Sequence, residues 1–578
     1  MNVLNVFNTV RYMTFRQWKY RLYYTVRNKI KKRKAILPKE MIMPNSLSTY
    51  YSVDVENEQA VLTAEKICDG LIPIVSDRMV EFSGDWDLKG EEYRLVSFKL
   101  NSFRWLLFLS DAYKSTGNEK YIEKGFEFIK DWHKQCGALI IGDKWNAYVI
   151  AERITNWIGF VSEYGNDSRK QEIASWIYPQ AKELKDSMEY QLGANHLLSE
   201  AKALVYAGFF LKDESLYRLG KSILFDECHE QFLQDGGHYE QSISYHVESL
   251  QQYFECYAVL KIQDDEDAEK LALCMEAPYR FLNGMIGVNG KIPLFNDSAY
   301  DYPFYDASDF LSTAEYIYET TPPNGKKGDY SRRWSWLKNR KLKIEWDSSI
   351  RYENTGFINY PFMVRGKSYS FFMDCGNNGP DYNLGHAHAD ALSILLYSED
   401  KEILVDSGVF TYMPSEDRNS CRSTKAHNTV EVDGKNSAEV WAAFRVAKRG
   451  HTKLIEYSCN DGLRIKASHD GYAKCLADPV VHIREVKIKD KQIVVNDNLE
   501  YKDNHTAISR FHISSQCTVV QNDSKTCIID GNIKVESDGD IRITNCKIAR
   551  MFGITEIAKC IEINFSGANS LKTVFTIG

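Results

Sequence analysis

The segment GHAHADALSILLY (385–397) holds the two side chains best suited to chemistry in this chain of 578 residues. Apolar residues run on to the end of the segment, so we predict a β-strand, which places His386 and His388 two residues apart on one face. Two imidazoles on one face can do different tasks, such as holding a metal ion and moving a proton.

Two later residues are predicted to join this pair. Asp406 lies in EILVDSGVF and His427 in AHNTVEVDG, and both segments have the composition of strands. Neighbouring strands would bring Asp406 and His427 beside His388, and a His, Asp, His set suits zinc. The alternative is that the histidines are ordinary core or surface residues. Because the chain has only 13 His, three of them in one strand-rich window favour a site.

Helix hairpins are predicted to form the other side of this site. Residues from about 55 to 340 have the pattern of helices throughout. Turn-like pairs recur at spacings of 48, 47 and 52 residues, each between two apolar helical runs. The pairs are Asn118-Glu119, Asn166-Asp167, Asp213-Glu214 and Asp265-Glu266. A repeated helix hairpin indicates a solenoid or a closed ring of helix pairs.

The helix before each turn is predicted to begin at the same rim of this ring. Polar, cationic and aromatic side chains near these starts would then converge at one mouth, together with the positive ends of helix dipoles. They are Asn101 and Arg104, Trp145 and Arg153, Asn195 and His196, and Tyr245 and His246. Such a mouth suits an anionic ligand. For any single residue of the set, a helix cap or a packing role is the alternative.

Short alternating segments with Gly, Asn and Asp turns replace the helices from about Arg351 onward. This pattern predicts an antiparallel β-sandwich. The predicted fold is therefore α+β and multidomain, with an N-terminal incomplete α/α toroid of helix hairpins followed by a C-terminal antiparallel β-sandwich. The predicted domains are a basic arm at 1–45, the toroid at 46–345 and the sandwich at 346–578.

The N-terminal arm is unusually basic. Residues 1–39 contain eleven Lys or Arg and no acidic residue, in a chain whose formal net charge is −7. Apolar residues at helical spacing are accompanied by basic residues on other faces: Phe15, Trp18, Leu22, Val26 and Ile30, with Arg16, Lys19, Arg27, Lys31 and Lys34. We predict either a basic amphipathic helix on an anionic membrane surface or polysaccharide, or a helix packed on the body with its basic side in solvent.

Composition and missing motifs exclude several classes of protein. No run of 18 apolar residues predicts a membrane-spanning helix, and the N-terminus lacks the apolar core of a secretory signal. Thirteen cysteines without a CxxC pair predict no disulfide framework and favour a reducing compartment. Walker, GxGxxG, GxSxG and HExxH motifs are missing, and no nucleic-acid-binding module accompanies the arm. We expect a cytoplasmic protein or one at the inner membrane face, with the periplasm as the alternative.

Five segments carry a resemblance to a known family: ANHLLSEAKAL (194–204), DGGHYEQSISYH (235–246), GHAHADALS (385–393), ILVDSG (403–408) and STKAHNTVEVDG (423–434). Together they resemble the heparinase II/III family of polysaccharide lyases, which includes heparan sulfate lyases and related alginate lyases. The similarity extends over approximately residues 60–570 and is most specific between GHAHAD and AHNTV. The resemblance implies an α/α toroid joined to an antiparallel β-sandwich, in agreement with the repeat and the alternation.

The resemblance also implies roles for matching residues. Tyr245 would be the catalytic acid, and a base as well in one version of the reaction, with Tyr239 as the alternative tyrosine. Asn195 and His196 would lie against the uronate carboxylate of the substrate. His386 would be the base or a partner in proton transfer.

A bound zinc, largely structural, is implied at His388, Asp406 and His427. His246 would be structural, and Glu240 a helper close to the substrate. The predicted substrate contacts are Asn101, Arg104, Trp145, Arg153 and Glu240.

Three functions from different classes remain open at this point. The first is a polysaccharide lyase that cleaves a uronic-acid-containing acidic polysaccharide by β-elimination, heparan-sulfate-like or a capsule or exopolysaccharide, with alginate as a close alternative. The second is a non-catalytic protein that binds acidic polysaccharide or assembles surface polysaccharide. The third is a toroid glycoside hydrolase, which would need paired carboxylates such as Asp297 and Glu152 beside the cleft.

Overall fold

The structure is a computed structural model that describes residues 3–30, 34–35, 41–47, 58–75, 78–88, 90, 94–302, 306–337, 342–346, 350–502 and 504–578. Lys31, one of the basic residues of the predicted arm, lies outside the described residues. A helical N-terminal region is followed by C-terminal antiparallel β-sheets.

The N-terminal region is built from helices α1 to α14. They are α1 (Val3–Val10), α2 (Phe15–Ile30), α3 (Glu58–Cys68), α4 (Arg94–Ser102), α5 (Leu106–Thr116), α6 (Lys120–Cys136), α7 (Ala147–Tyr164), α8 (Asp167–Ser187), α9 (Ala194–Leu211), α10 (Glu214–Gln231), α11 (Ile243–Ile262), α12 (Asp267–Met285), α13 (Ala307–Leu311) and α14 (Asp329–Arg332). Among the described residues, no helix is both long enough and apolar enough to cross a lipid bilayer.

The helix hairpins predicted from the sequence repeat are confirmed. The four predicted turns separate α5 from α6, α7 from α8, α9 from α10 and α11 from α12. Asn166 caps α8 by accepting from the backbone N–H of Arg169, and Asp213 caps α10 in the same way through Ser215 and Leu216. The turn pairs were therefore helix N-caps. The first helix of each later hairpin, α7, α9 and α11, is buried along nearly its whole length.

A short β-hairpin interrupts the helical region. Strands β1 (Leu71–Val75) and β2 (Arg78–Glu81) pair antiparallel. The prediction of helices throughout was wrong here, because two strands of this length leave too little alternation in the sequence to be separated from a helix boundary.

The C-terminal region contains strands β3 to β20 and two short helices. The strands are β3 (Phe357–Val364), β4 (Lys367–Asp374), β5 (Ile394–Ser398), β6 (Glu402–Leu404), β7 (Val430–Val432), β8 (Val440–Trp441), β9 (Arg445–Val446), β10 (Thr452–Ser458), β11 (Leu463–His469), β12 (Val481–Lys489), β13 (Gln492–Glu500), β14 (Ala507–Ile513), β15 (Val519–Gln521), β16 (Thr526–Ile529), β17 (Ile533–Ser537), β18 (Asp540–Met551), β19 (Ile554–Asn564) and β20 (Ser570–Ile577). The helices are α15 (Glu416–Cys421) and α16 (Gly471–Cys475).

Two large antiparallel sheets share one apolar core. The first has the order β10-β11-β12-β13-β20-β17-β16-β15, and the second β18-β19-β14-β6-β5-β4-β3, with β7 also paired to β14. Inward-facing residues alternate along β12 and β13, and their side chains join those of β4, β5 and β14 in a single buried cluster. This core fixes the second sheet, whose strands carry the candidate site at their ends.

The two-histidine segment differs from its predicted form. Residues 385–393 belong to no strand, and β5 begins only at Ile394. Their backbone bonds go to loops instead: His388 N–H donates to the side chain of Asn296 at 2.8 Å, and the His386 carbonyl accepts from Asp297 N–H at 3.2 Å. The prediction of a shared strand face was therefore wrong, because the segment pairs with a loop of the helical region and not with a neighbouring strand.

Candidate active site

Asp297 lies at the centre of the candidate site, in the loop between α12 and α13. Its carboxylate is bonded to His386 Nδ1 at 3.0 Å and to His388 Nε2 at 2.8 Å. Arg418, from α15, donates to both oxygens of the same carboxylate, with Nη2 at 2.6 Å from Oδ2. Asp297, His388 and Arg418 are fully buried, and only the His386 side chain, 12% exposed, reaches the surface of the site.

The ion pair with Arg418 fixes where the protons of this cluster lie. Burial alone would raise the pKa of Asp297, but the Arg418 guanidinium holds it well below its ordinary value. An ionised carboxylate only accepts hydrogen bonds, so each histidine donates to it. His386 therefore carries a proton on Nδ1 and keeps Nε2 for other chemistry. His388 carries a proton on Nε2 and keeps Nδ1.

The ring of Tyr245 stacks on His386, with ring centroids 3.7 Å apart and an angle of 25° between the planes. Tyr245 lies in the first turn of α11, where its backbone N–H donates to the N-cap Ser242. Its hydroxyl donates to the Tyr412 hydroxyl at 3.0 Å. Burial, together with Tyr412, raises the pKa of Tyr245 well above its ordinary value, so the phenol is neutral. A neutral phenol beside an imidazole with a free nitrogen is an acid and base pair.

Asn195 and His196 begin α9, and a carboxylate positions each of them. Asn195 Nδ2 donates to Glu248 Oε2 at 2.9 Å, and His196 Nδ1 lies 2.7 Å from Glu189 Oε2. Burial disfavours the imidazolium, but the Glu189 carboxylate outweighs it and raises the pKa of His196. A third of the His196 side chain, 33%, is exposed, so this imidazole with its raised pKa is accessible to an incoming ligand.

A cavity of the helical region lies next to this site, since Glu248, which bonds Asn195, is part of its lining. It has about 1340 Å³ of empty space, including the part open to solvent, and its lining includes Glu248, Glu152 and Arg104. Arg104, one of the predicted substrate contacts, lines this cavity. Glu240 is buried, and burial raises its pKa, while His386 and His196 are near enough to act on its charge in the opposite direction.

Three other predicted substrate contacts are buried between helices instead. Asn101 accepts from the Trp132 indole at 2.7 Å, and the Trp145 indole donates to a backbone carbonyl of α6. Arg153 donates to Gln180 at 2.7 Å and lies 3.9 Å from the Trp132 ring. The predictions for Asn101, Trp145 and Arg153 were wrong: Asn101 is near the end of α4, Arg153 is in the second turn of α7, and all three side chains contact neighbouring helices.

The structure distinguishes the two tyrosines that the sequence offers as the catalytic acid. Tyr239 makes its ring contacts with His238 and Tyr382, whereas Tyr245 is the tyrosine stacked on His386. His246, next in sequence, faces the opposite side: its Nε2 lies 3.1 Å from the Pro278 carbonyl, and burial lowers its pKa to about 3.

The carboxylate pair of a glycoside hydrolase does not form. Asp297 is fully buried and already holds Arg418 and two histidines, so it has no oxygen left for a sugar. Glu152 lines the cavity, but Asp297 does not. The suggestion that Asp297 and Glu152 flank the cleft was wrong.

His388, Asp406 and His427 offer one ligand atom each within 4.8 Å of one another, and all three are buried. Because β14 pairs with both β6 and β7, it brings Asp406, just after β6, next to His427, just before β7. His427 Nδ1 lies 2.7 Å from Asp406 Oδ2. His388 Nδ1 and His427 Nε2 are buried without a hydrogen-bond partner among the described residues. Two unpartnered ring nitrogens beside a carboxylate fit a zinc ion.

Several residues that organise this site lie in no recognisable motif. They are Asp297, which the sequence suggests only as one carboxylate of a hydrolase pair, and Arg418, Tyr412, Glu189 and Glu248. Asp297 and Arg418 are 121 positions apart, and Asn195 and Glu248 are 53 apart. No local motif spans such distances, so only the folded chain brings these partners together.

Solved structures show which fold this is. The chain superimposes on a crystal structure of heparinase III with a TM-score of 0.71 and 16% identity, covering 97% of this chain and 90% of that one. A chondroitin AC lyase of Streptomyces coelicolor gives a TM-score of 0.51 and 9% identity, over 90% of this chain and 79% of that one. The helical region and the antiparallel sheets together form a heparinase III-like fold.

Two family models cover most of the chain. The heparinase II/III N-terminus matches residues 47–310, and the heparinase II/III-like C-terminal region matches residues 351–572. The chain belongs to the heparinase II/III family, as the resemblance of its motifs had indicated.

Curated relatives match part of the chain in sequence. A heparin-sulfate lyase of Bacteroides thetaiotaomicron is 24% identical over 395 residues, which is 62% of this chain and 55% of the relative. A heparin-sulfate lyase of Pedobacter heparinus is 24% identical over 370 residues, 61% of this chain and 53% of the relative. The matched segments thus span about half the length of the relatives.

Proposed function

We propose that this protein is a polysaccharide lyase that cleaves a uronic-acid-containing acidic polysaccharide by β-elimination. In this proposal the helix hairpins form an incomplete α/α toroid, and the two sheets form a β-sandwich beside it. The observation that carries the proposal is the stacked pair of Tyr245 and His386, with the His386 proton held on Nδ1 by Asp297. The names of the relatives, heparin-sulfate lyases, support the same reaction class.

The elimination needs a base for the C5 proton of the uronate and an acid for the departing 4-oxygen. His386 Nε2 is the base, because Asp297 occupies Nδ1. Tyr245 is the acid, because its pKa is raised and its phenol is therefore neutral. The C5 proton passes to His386, the C4–O4 electron pair leaves with the glycosidic oxygen, and that oxygen takes the phenolic proton. The products are an unsaturated uronate and a new chain end.

The uronate carboxylate must be neutralised before its C5 proton becomes acidic, because charge gathers on the carboxyl group as the proton leaves. The Asn195 amide and the His196 imidazolium are the donors for this charge in our proposal. A preorganised donor of this kind contributes roughly 3 to 4 kcal/mol to the transition state. Glu248 and Glu189 fix the orientation of these donors through bonds of 2.9 and 2.7 Å.

Zinc at His388, Asp406 and His427 would have a structural role. The ion would tie the loop before β5 to the end of β6 and the start of β7, as a cross-link between segments that neighbour each other in the second sheet but are separated in sequence. Asp297 connects this centre to the reaction, since the same carboxylate bonds His388 and His386. Proton transfer is then left to the protein side chains.

The substrate in this proposal is a sulfated or carboxylated polysaccharide, heparan-sulfate-like or a capsular or exopolysaccharide, with alginate as a further member of the same chemical class. The test is incubation of the protein with a panel of such polymers while the ultraviolet absorbance of the unsaturated uronate is followed. The expected result is a rise in absorbance with at least one uronate polymer. Binding without any rise would indicate a non-catalytic glycan-binding or assembly protein, and new reducing ends without the chromophore would indicate hydrolysis.

A further inference from the structure

Helix α2 packs against the body of the protein through its polar and tyrosine side. Gln17 is buried and donates to the Tyr382 carbonyl at 3.0 Å. Tyr20 stacks on Tyr190 with ring centroids 4.5 Å apart, and the Tyr24 hydroxyl donates to a backbone carbonyl of the loop after α8. The helix therefore uses hydrogen bonds and ring contacts, and not an apolar stripe, to attach itself.

Ion pairs strengthen the same attachment. Arg16 pairs with Glu227 of α10 at 2.7 Å, and Arg27 with Glu183 of α8 at 3.4 Å. At 100° per residue, these arginines lie about 80° to 100° around α2 from the buried Gln17, at the border between the packed side and the exposed side. The helix is thus packed on the body, as one of the two predictions stated, but it packs through its polar and tyrosine side and leaves its apolar side exposed.

The opposite side of α2 exposes a stripe of large apolar residues. The stripe consists of Phe15 (83% exposed), Trp18 (51%), Leu22 (68%), Val26 (50%) and Ile30 (77%). These positions follow the helical period and cover one face within about 120°. Helix α1 adds exposed Val3 and Phe7 to the same segment of chain. Exposed apolar residues in such a row mark a surface that is covered by something else.

Basic residues accompany this stripe. Lys19 and Lys29 are exposed and lie on the same side of the helix as Phe15 and Leu22. The first 39 residues contain eleven Lys or Arg and no acid, although the whole chain has a net charge of −7. The arm is therefore the part of the chain that an anionic surface attracts, while the rest of the chain is repelled from that surface.

We propose that α2 is a membrane-surface anchor whose apolar stripe inserts among the headgroups of an anionic lipid bilayer. A helix in the interface plane buries Trp, Phe and Leu at the acyl boundary, and its Lys and Arg residues pair with acidic headgroups. An acidic polysaccharide would engage the cations but leave Phe15, Leu22 and Ile30 in water. A second copy of the chain, paired through the same stripe, would bring Lys19 and Lys29 of both copies together.

The anchor is rigidly joined to the region of the site. Helix α1 lies against the sheets, where the Trp441 indole donates to Thr9 at 3.1 Å and the Arg449 guanidinium lies 4.0 Å from the Tyr12 ring. Gln17 bonds Tyr382, four residues before His386. Because α2 is held against the protein body by these contacts, a bilayer bound at α2 would lie at a fixed position relative to the candidate site.

The experiment is flotation of the full chain with vesicles of phosphatidylcholine alone and of phosphatidylcholine with phosphatidylglycerol. We expect binding to the anionic vesicles that weakens when the salt is raised from about 0.1 M to about 0.5 M. The double variant W18S/L22S should bind about tenfold or more weakly, because two interfacial side chains are lost. Its circular dichroism should stay unchanged, since both residues are exposed.

Matched variants separate the stripe from general surface effects. L273S removes an equally exposed leucine, 57% exposed, from α12 and should bind like the unchanged protein. K19Q/K29Q should lose most of the preference for anionic vesicles, whereas K130Q/K134Q on α6 should not. The proposal is overturned if the unchanged protein does not float with anionic vesicles, or if W18S/L22S floats as well as L273S. A dimer that W18S/L22S dissociates, with no vesicle binding, would assign the stripe to a second copy instead.

Discussion

Asp297 and Arg418 form a buried bidentate ion pair, and through it one carboxylate sets the tautomers of both histidines in GHAHAD. His386 is left with Nε2 for proton transfer, and His388 with Nδ1 for a metal ion. The two histidines present different free nitrogens because His386 bonds this carboxylate through Nδ1 and His388 through Nε2. This relationship joins the proposed reaction to the proposed zinc centre.

Asp297→Asn should destabilise the protein strongly. The amide leaves the buried Arg418 charge without its partner, which costs about 3 to 5 kcal/mol in comparable buried pairs. Denaturant unfolding measures the change, and the expected signature is a lower midpoint with an unchanged slope. Asp461→Asn, which removes an exposed ion pair with Lys489, is the control and should leave the midpoint where it was. An equal midpoint in both variants would show that Asp297 does not organise the cluster.

His388→Gln should remove zinc from the purified protein. The substitution keeps a polar side chain of similar length but takes away the free Nδ1 that points to Asp406 and His427. Metal analysis should show a loss of bound zinc, and thermal unfolding should show a lower midpoint. Neither measurement depends on an activity assay. His482→Gln is the matched control, since His482 is also fully buried and bonded to an aspartate, Asp497. Equal zinc content in the two variants would remove His388 from the centre.

Glu189→Gln should shift the pH dependence of the reaction. Glu189 raises the pKa of His196, so the imidazolium that neutralises the uronate persists to higher pH than an ordinary histidine would. As pH rises through the folded-state pKa, the cation is lost and kcat/KM should fall. Without the Glu189 charge the pKa of His196 should be lower, so the decrease of kcat/KM with rising pH should begin at a lower pH. The rate at acidic pH should change less.

The measurement is the pH profile of kcat/KM for both proteins, taken on the same polymer. The pH dependence of the free energy of unfolding follows the same direction. The His196–Glu189 pair stabilises the folded protein fully below the unfolded histidine pKa of about 6.5, and this stabilisation is lost as pH rises through the raised folded-state pKa of His196. Coincident profiles for Glu189→Gln and the unchanged protein would mean that His196 does not supply the cation.

Much of the fold was predictable because its signals are local. The spacing of the turns gave four helix hairpins, since each turn carries the acceptor that caps the next helix, as Asp213 does for α10. The alternation of apolar and polar residues after about Arg351 predicts the strands of the C-terminal sheets. The hairpin β1 and β2 was missed because each of its strands is only a few residues long.

The site was predictable only where residues lie in a recognisable motif. His386 and His388 stand in GHAHAD, and Tyr245 stands in the segment that resembles the family. Asp297 and Arg418 have no such context, and long-range folding alone brings them together. The predictions for Asn101 and Arg153 were wrong because a polar residue near the end of α4, or in the second turn of α7, can face a neighbouring helix as well as a cleft.

The most direct test is Tyr245→Phe, assayed by the unsaturated uronate that elimination releases. The variant keeps the ring on His386 and loses only the hydroxyl, so kcat should fall by about 10² to 10⁴ while the protein stays folded. Tyr279→Phe removes another buried hydroxyl, one bonded to Thr313 at 2.7 Å, and should keep its activity. A Tyr245→Phe protein that forms unsaturated uronate at the rate of the unchanged protein would contradict the proposed mechanism.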